Sequence, residues 1–262
     1  MNEHEDLTKP ALAVHDDAGV LWVTFARPEA SNALTPADLE YMGRVIRDAG
    51  NDPRAVVFTG SGDRSFSAGM HLGSLSILDV ASAREMIARN RELLATIRQA
   101  PFPTIAAING HCIGAGLGIA LVADIRIATT NATFALPEIR VGVPSVCDIA
   151  LLQQHIGLSK AKEMILSGDK YSVAEMDRYG LLNAVVEPEQ LVPATERMLA
   201  RITGHTKTVL SAQKRLFEAW QNSSLTAAID LSVEIFASVF ASPETLEQME
   251  RHRSDVALKA HA

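Results

Sequence analysis

The first half of the chain alternates short apolar blocks with polar turns, a pattern that predicts strands separated by helices. GVLWVTFAR (19–27) is rich in β-branched and aromatic residues, as expected of a strand, and AVVFTG (55–60) predicts a second, buried strand. Between them, Thr35 followed by Pro36 at the first helical position predicts a helix that runs towards Gly50.

The same alternation continues to about residue 136. Apolar residues recur seven positions apart within residues 81–99, which predicts a helix. Three further strands are predicted at PTIAAIN (103–109), ADIRIAT (123–129) and TFAL (133–136). Strands that alternate with helices in this way predict an α/β fold with parallel pairing in its sheet.

Beyond about residue 155 the pattern is helical, apart from one strand predicted at NAVVEP (183–188). Two late helical segments lie on either side of QNSS, and each carries one apolar stripe. The stripes are Val209, Leu216 and Trp220 in the first segment, and Ile229, Val233, Phe236 and Phe240 in the second. Such a helical pair either covers the α/β core or forms a subunit interface.

Composition and charge narrow the class of protein. The 262 residues are 47% apolar, enough for a full core, and a net charge of -7 with scattered Lys and Arg argues against a nucleic-acid surface. Residues 99–123 contain no charged side chain, but their prolines and glycines argue against a continuous membrane-spanning helix. Two cysteines and a polar start (MNEHEDLTKP) that does not resemble a signal peptide predict a soluble, cytoplasmic protein.

The glycine-rich segment NGHCIGAGLGIALVADIRIA (109–128) matches none of the common cofactor motifs. Its G-x-G-x-G spacing is not the G-x-G-x-x-G of dinucleotide-binding folds, and the chain has no P-loop motif. SFSAG lacks the first glycine of the G-x-S-x-G turn of serine hydrolases. Histidines and cysteines do not pair at metal-ligand spacing, so we expect neither a metal nor a bound cofactor.

Two glycine-bearing turns, SAGMH (67–71) and GAGLG (114–118), each follow a predicted buried strand. Glycine leaves backbone N–H groups accessible to a ligand, and two such groups can stabilise an oxygen that becomes negatively charged during a reaction. The second turn also precedes a predicted helix, whose N-terminal dipole favours an anion. The two turns together therefore predict an oxyanion hole.

Four segments of the chain resemble, in order, the hallmark segments of the crotonase (enoyl-CoA hydratase/isomerase) superfamily: RPEASNALT, SFSAGMHL, NGHCIGAGLGIALVADIRIA and FALPEIRVGVPS. SGDKYSVAEMDRYGLLNAVVEPEQL resembles the helix–turn–strand segment that follows them. The resemblance implies an α/β fold with a crotonase-like spiral of β-β-α turns in residues 1–200 and a C-terminal helical oligomerisation region in residues 201–262. It also implies a homotrimer, or a hexamer made of two trimers.

The resemblance further implies an acyl-CoA thioester as substrate and an enolate as intermediate. By matched position, the thioester oxygen is held by the backbone N–H groups of Met70 and Ala115. The remaining matched positions, which bind the substrate or its CoA group, are Ala30 and Ser31 beside the adenine, and Ala68, His71 and Leu72.

Hydratases of this family typically carry two glutamates, and this chain retains one of them. The glutamate of the PE turn is Glu138, whereas the other position, twenty residues earlier, is Gly118. Adding water to a double bond needs a base and an acid, but moving a double bond from the 3- to the 2-position needs one base that carries a proton between two carbons. We therefore expect isomerisation of an enoyl-CoA, with Glu138 as the proton shuttle.

The sequence leaves three alternatives open. Hydration or another enolate reaction (decarboxylation, hydrolysis or a lyase reaction) stays open if Asp148, His71 or an ordered water supplies the second group. Asp148 is also a candidate helix N-cap, and Glu138 is a candidate partner for Arg140. A CoA-binding protein that has lost catalysis is the alternative outside the enzymes.

Overall fold

The computed structural model describes residues 7–260, which form two sheets surrounded by helices. The strands are β1 (Leu12–Asp17), β2 (Val20–Phe25), β3 (Ala55–Gly60), β4 (Ser65–Ser67), β5 (Thr104–Ile108), β6 (His111–Ile113), β7 (Ile125–Thr129), β8 (Thr133–Ala135), β9 (Lys170–Ser172) and β10 (Ala184–Val186). The helices are α1 (Pro36–Asp48), α2 (Leu72–Leu75), α3 (Val80–Arg98), α4 (Ala115–Val122), α5 (Leu152–Ile156), α6 (Leu158–Ser167), α7 (Val173–Arg178), α8 (Leu191–Ile202), α9 (Lys207–Asn222), α10 (Leu225–Val239) and α11 (Pro243–Ala260). Short 3-10 helices cover Pro28–Ala30, Pro137–Val141, Cys147–Leu151 and Pro188–Gln190.

The two sheets are wound together by a repeated unit. The larger sheet has the strand order β1-β2-β3-β5-β7-β10, and the smaller has the order β4-β6-β8-β9. Only the β1–β2 and β8–β9 pairs are antiparallel among the pairs described. The pairs β3–β4, β5–β6 and β7–β8 each place their first strand in the larger sheet and their second in the smaller, and a helical segment follows each pair. This repeat confirms the predicted α/β spiral of β-β-α turns.

The strands predicted from the sequence are present as β2, β3, β5, β7, β8 and β10. The prediction missed β1, which is largely exposed and pairs with β2 across a turn at Ala18 and Gly19, both at positive φ. It also missed β4, β6 and β9, which have three residues each and are too short to show a period of two.

Helix α1 begins where the sequence predicts. The Thr35 hydroxyl accepts the N–H of Asp38, and the Asp38 carboxylate accepts the N–H of Thr35, so the two residues form a capping box. Asp38 is fully buried and forms a 2.8 Å ion pair with Arg27. The pair ties the start of α1 to the loop 27–35, which forms one edge of the candidate site.

Apolar side chains fill both faces of the larger sheet. The main cluster lies between the two sheets, α1, α3 and α4, and includes Phe25, Phe58, Phe66 and Phe134. A second cluster covers the opposite face, where residues of α8 pack on β2, β3, β5 and β7. All five residues of β5 are buried, as expected of a central strand in a parallel sheet.

The C-terminal helices leave much of their apolar surface uncovered in the single chain. Lys214 of α9 forms a 2.7 Å ion pair with Asp124 and so attaches this region to the core. Trp220 and the predicted α10 stripe remain between 41% and 67% exposed. Within residues 7–260 no single helix is both long and apolar enough to cross a membrane; one pair, Leu225–Val239 and Pro243–Ser254, meets those criteria only together and is bent by 82°.

Candidate active site

The turn 67–71 is held in place by backbone pairing with residues near Leu34. The Leu34 N–H donates to the Gly69 carbonyl, and the His71 N–H donates to the Leu34 carbonyl, each at 2.8 Å. This is parallel pairing, in which the residue between the two bonded ones points its own N–H away from the partner strand. That residue is Met70, so its N–H is directed away from Leu34.

The loop that carries Ala30 and Ser31 is locked against the same turn. The Ala68 N–H donates to the Ser31 carbonyl at 2.9 Å, and the Ser67 hydroxyl donates to the Asn32 carbonyl at 2.8 Å. Ser31 and Asn32 both have positive φ, and the Asn32 amide bonds the backbone around it. The structure therefore brings the predicted adenine-contacting residues next to the predicted oxyanion turn.

The second glycine turn lies at the start of α4. Gly114 has φ +54° and ψ −121°, a backbone conformation that residues with a side chain rarely adopt. Its N–H donates to the Ala135 carbonyl at 3.0 Å. Ala115 is the first residue of α4, so its N–H has no carbonyl acceptor within the helix. As predicted, this N–H lies at a helix N-terminus, where the helix dipole favours negative charge.

The two turns are in contact, and glycine is what permits it. Gly69 has φ +86°, and a Cβ there would lie 3.0 Å from the Ile113 carbonyl oxygen and 3.2 Å from the Ala115 nitrogen. Met70 and Ala115 therefore sit on adjacent turns. Neither N–H makes a hydrogen bond within the described part of the chain. Two free N–H donors on adjacent turns are consistent with the predicted oxyanion hole, which stays a prediction.

Glu138 lies at the same place, in the 3-10 helix after β8. Its Oε1 lies 2.9 Å from the position a Cβ would take on Gly114. Its Oε2 accepts a 3.0 Å hydrogen bond from the Ser145 hydroxyl. Arg140, the alternative partner, pairs instead with Asp169. The Glu138 carboxylate thus faces the junction of the two glycine turns and is half-buried.

The position at which hydratases carry their other glutamate is lined by apolar groups. A Cβ on Gly118 would have Ile149 Cδ1 at 3.7 Å and Leu94 Cδ1 at 3.8 Å as its nearest neighbours. Steric crowding therefore does not require glycine at position 118. It does favour glycine at position 116, where a Cβ would lie 2.7 Å from the Ser67 Cβ.

The two candidate replacements for the missing glutamate are engaged elsewhere. Asp148 forms an ion pair with Arg98, 3.1 Å from its Nε, and Arg98 also pairs with Glu218 of α9. The predicted N-cap role of Asp148 is wrong: Val146 occupies the cap of that 3-10 helix, and no side chain bonds it. His71 caps α2, its Nδ1 accepting the Gly73 N–H at 3.1 Å.

The structure leaves the other two predicted substrate contacts at the surface. Ala68 is exposed, and Leu72 is 63% exposed at the start of α2. Both flank the oxyanion turn, and their contact with substrate stays a prediction.

Sequence reasoning missed two polar residues near the site. Ser145 gave no signal, because its partner is defined by the fold of the loop 142–146. Asn90 did give one: it interrupts the apolar stripe of α3 four residues after Met86 and four before Leu94. It lies close to Cys147, and the pKa of the Cys147 thiol is raised by burial and by the nearby Asp148.

A β-β-α spiral that presents two backbone N–H groups without acceptors on adjacent turns, with one carboxylate beside them, is typical of enzymes that generate and stabilise an oxyanion. Residues 15–254 match the enoyl-CoA hydratase/isomerase family. The chain therefore belongs to that family, the crotonase superfamily, whose members act on acyl-CoA thioesters.

Individual relatives agree with this assignment. The chain is 30% identical to a crotonyl-CoA hydratase of Syntrophomonas wolfei over 241 residues, covering 91% of this chain and 92% of the relative. It is 36% identical to an (E)-benzylidenesuccinyl-CoA hydratase of Thauera aromatica over 201 residues, covering 75% and 77%. The crystal structure of an enoyl-CoA hydratase from Mycobacterium smegmatis superposes with a TM-score of 0.89 at 27% identity, covering 94% and 97%.

Proposed function

We propose that this enzyme isomerises the double bond of an enoyl-CoA thioester, with Glu138 as its one acid–base group. The observation that carries the proposal is the contrast between two positions. Glu138 faces the junction of the glycine turns, whereas Gly118 faces Ile149 and Leu94. The site thus offers one carboxylate where water addition by the two-glutamate route would need a pair.

The reaction follows from this geometry. The N–H groups of Met70 and Ala115 hold the thioester oxygen of a 3-enoyl-CoA, and Glu138 Oε1 removes a proton from C2. The charge moves onto the thioester oxygen as a dienolate, which the two N–H groups stabilise. The same carboxyl group then returns the proton to C4, which leaves the double bond between C2 and C3. The proposed reaction requires no metal or bound cofactor.

Ser145 determines which oxygen of Glu138 acts. Its hydroxyl donates to Oε2, so the proton moves through Oε1, on the side of Gly114. A carboxylate held in one orientation can transfer a proton between two carbons on the same face of the substrate without rotating its side chain.

Hydration is the second candidate, because the relatives described above are named as hydratases. In that reaction Glu138 would activate a water and also return its proton to C2. The difference between the two reactions is a gain of one water, which mass spectrometry detects directly.

The experiment compares wild type, Glu138→Gln and a matched control on a 3-enoyl-CoA and on crotonyl-CoA. The control is Glu189→Gln, which changes the exposed glutamate of a second Pro-Glu pair that also begins a 3-10 helix. We expect wild type and the control to convert the 3-enoyl to the 2-enoyl thioester at unchanged mass. We expect Glu138→Gln to lose about 10²–10⁴ in rate.

Two results would contradict the proposal. A gain of one water from crotonyl-CoA, without isomerisation of the 3-enoyl thioester, would establish the hydratase. Binding of both thioesters with turnover of neither would support the non-catalytic CoA-binding alternative.

We also propose that the C-terminal region assembles the chain into a homotrimer or a hexamer. An exposed apolar face in the C-terminal region supports this assembly, since large contiguous exposed apolar faces are uncommon on monomers. The face is formed by Trp220, Ile229, Val233, Phe236 and Phe240.

A further inference from the structure

Arg98 is the last residue of α3 and pairs with two carboxylates from distant parts of the chain. Its Nε lies 3.1 Å from Asp148 Oδ1, in an ion pair that lacks hydrogen-bond geometry, and its Nη1 donates to Glu218 Oε2 at 2.5 Å. The three side chains are between 13% and 21% exposed. Solvent therefore screens these two pairs less than it screens pairs at the open surface.

The segment that carries Ser145 is weakly held by its own backbone. Residues 141–146 are exposed apart from Ser145 itself. In the described part of the chain, neither the Ser145 N–H nor the Val146 N–H donates a hydrogen bond. Exposed segments with few backbone hydrogen bonds open locally at little cost in free energy. The position of the Ser145 hydroxyl therefore depends on the contacts of the residues that follow it.

Two polar contacts with α3 fix the residues that follow Ser145. Cys147 has φ +58°, in the left-handed region that residues other than glycine rarely adopt, and its Sγ donates to the Ile87 carbonyl at 3.9 Å. Asp148 is the next residue and pairs with Arg98. An unfavourable backbone conformation persists only where the surrounding contacts impose it. The pair with Arg98 is the stronger of the two contacts, because a thiol is a weak donor.

The Ser145 hydroxyl in turn orients Glu138. It donates to Glu138 Oε2 at 3.0 Å, and no other hydrogen bond reaches that carboxylate within residues 7–260. A continuous set of contacts therefore leads from Arg98 to the carboxylate, through Asp148 and the short segment 145–148.

We propose that Arg98 is a positioning residue for Glu138: its pair with Asp148 fixes the segment 145–148 and so keeps the Ser145 hydroxyl on the carboxylate. In this role Arg98 does not contact the substrate and acts only through Ser145. The inference deepens the proposed function, because it relies on Glu138 as the acid–base group, but it applies equally to isomerisation and to hydration.

A purely structural role for Arg98 predicts a different result. A cation in the last turn of a helix is favoured by the helix dipole, and the Glu218 pair attaches α9 to α3. Loss of these contributions alone would lower the melting temperature and leave the kcat of the folded enzyme unchanged. Loss of a positioning residue lowers kcat with KM nearly unchanged, and it has no effect when the Ser145 hydroxyl is absent.

The test is a double-mutant cycle that measures kcat and KM on the thioester that wild type converts. The cycle consists of wild type, Arg98→Gln, Ser145→Ala and the double variant. The matched control is Arg89→Gln, because Arg89 also lies on α3 and also pairs with two carboxylates, those of Glu40 and Glu85, but at the open surface. Arg98→Lys keeps the positive charge and tests for rescue.

We expect Arg98→Gln to lower kcat about three- to tenfold, because a loss transmitted through Ser145 cannot exceed the loss in Ser145→Ala. In the Ser145→Ala background the same substitution should change kcat less than about twofold. Arg98→Lys should recover much of the rate, and Arg89→Gln should match wild type. Equal losses with and without the Ser145 hydroxyl, or no loss in either background, would overturn the proposal.

Two further measurements guard against misfolding and separate this proposal from the proposed function. Melting temperatures set an assay temperature at which every variant is folded. If Arg98→Gln does not fold, Asp148→Asn takes its place in the cycle, since it removes the same pair and leaves Arg98 with Glu218. If Glu138→Gln keeps the wild-type rate, both proposals fail. If Glu138→Gln loses the rate and the cycle shows no coupling, only the role of Arg98 fails.

Discussion

Two glycines of α4, two residues apart, respond in opposite ways to the same substitution. At Gly118 an added methyl group meets Ile149 and Leu94 at 3.7 and 3.8 Å, which is ordinary van der Waals contact. At Gly116 it meets the Ser67 Cβ at 2.7 Å and the Ser67 carbonyl oxygen at 3.0 Å. Ser67 cannot easily move away from the added methyl group, because its hydroxyl donates to the Asn32 carbonyl and accepts from the Gly69 N–H.

The magnitudes follow from these contacts. Replacing glycine by alanine inside a helix gains about 1 kcal/mol at either position. Gly118→Ala also buries one methyl group, worth up to about 0.8 kcal/mol, so we expect a gain of about 1–2 kcal/mol in the free energy of unfolding. Gly116→Ala overpacks the contact with β4 at a cost of about 1–3 kcal/mol, which cancels or outweighs its helix gain.

The assay is urea unfolding followed by far-ultraviolet circular dichroism, at one protein concentration because assembly affects apparent stability. We expect Gly118→Ala to unfold at a higher urea midpoint than wild type, Gly116→Ala at a lower or equal one, and the m-values to agree. A midpoint for Gly118→Ala below that of wild type would refute the argument, since it would mean that Leu94 and Ile149 close over the glycine. A stabilised Gly118→Ala would show that packing does not require glycine at this position.

The remaining predictions concern the carboxylate and the assembly. Ser145→Ala should lower kcat about tenfold with KM little changed, because a hydrogen bond to a charged group contributes about 1.5–3 kcal/mol and Glu138 would lose its orientation. Ser145→Thr keeps the hydroxyl and should restore most of the rate; an equal loss in both variants would exclude the positioning role. Phe236→Asp places a charge on a side chain that is 67% exposed in the single chain. If the C-terminal face assembles trimers, sedimentation should show a multiple of three chains for wild type and smaller species for this variant, and identical masses would exclude that face.

The sequence by itself determined the parts of this protein that depend on local patterns. The long strands β2, β3, β5 and β7 are runs of β-branched and apolar residues, and α1 begins at Pro36, directly after Thr35, because its capping box lies within four consecutive residues. The two glycine turns and Glu138 were also predictable, since their residues are adjacent in the chain and match family segments. Each of these features is decided by neighbours close in sequence.

The tertiary structure alone decided what faces the carboxylate. Strands β4, β6 and β9 exist because their partners in the smaller sheet hold three residues extended, which no local period reveals. Asp148 is a candidate acid from the sequence, but in the folded chain it forms an ion pair with Arg98, fifty residues earlier. The contact of Asn90 with Cys147 likewise joins segments far apart in the chain. The apolar surroundings of Gly118 are set by side chains from α3 and the 3-10 helix Cys147–Leu151, and only folding brings those elements together.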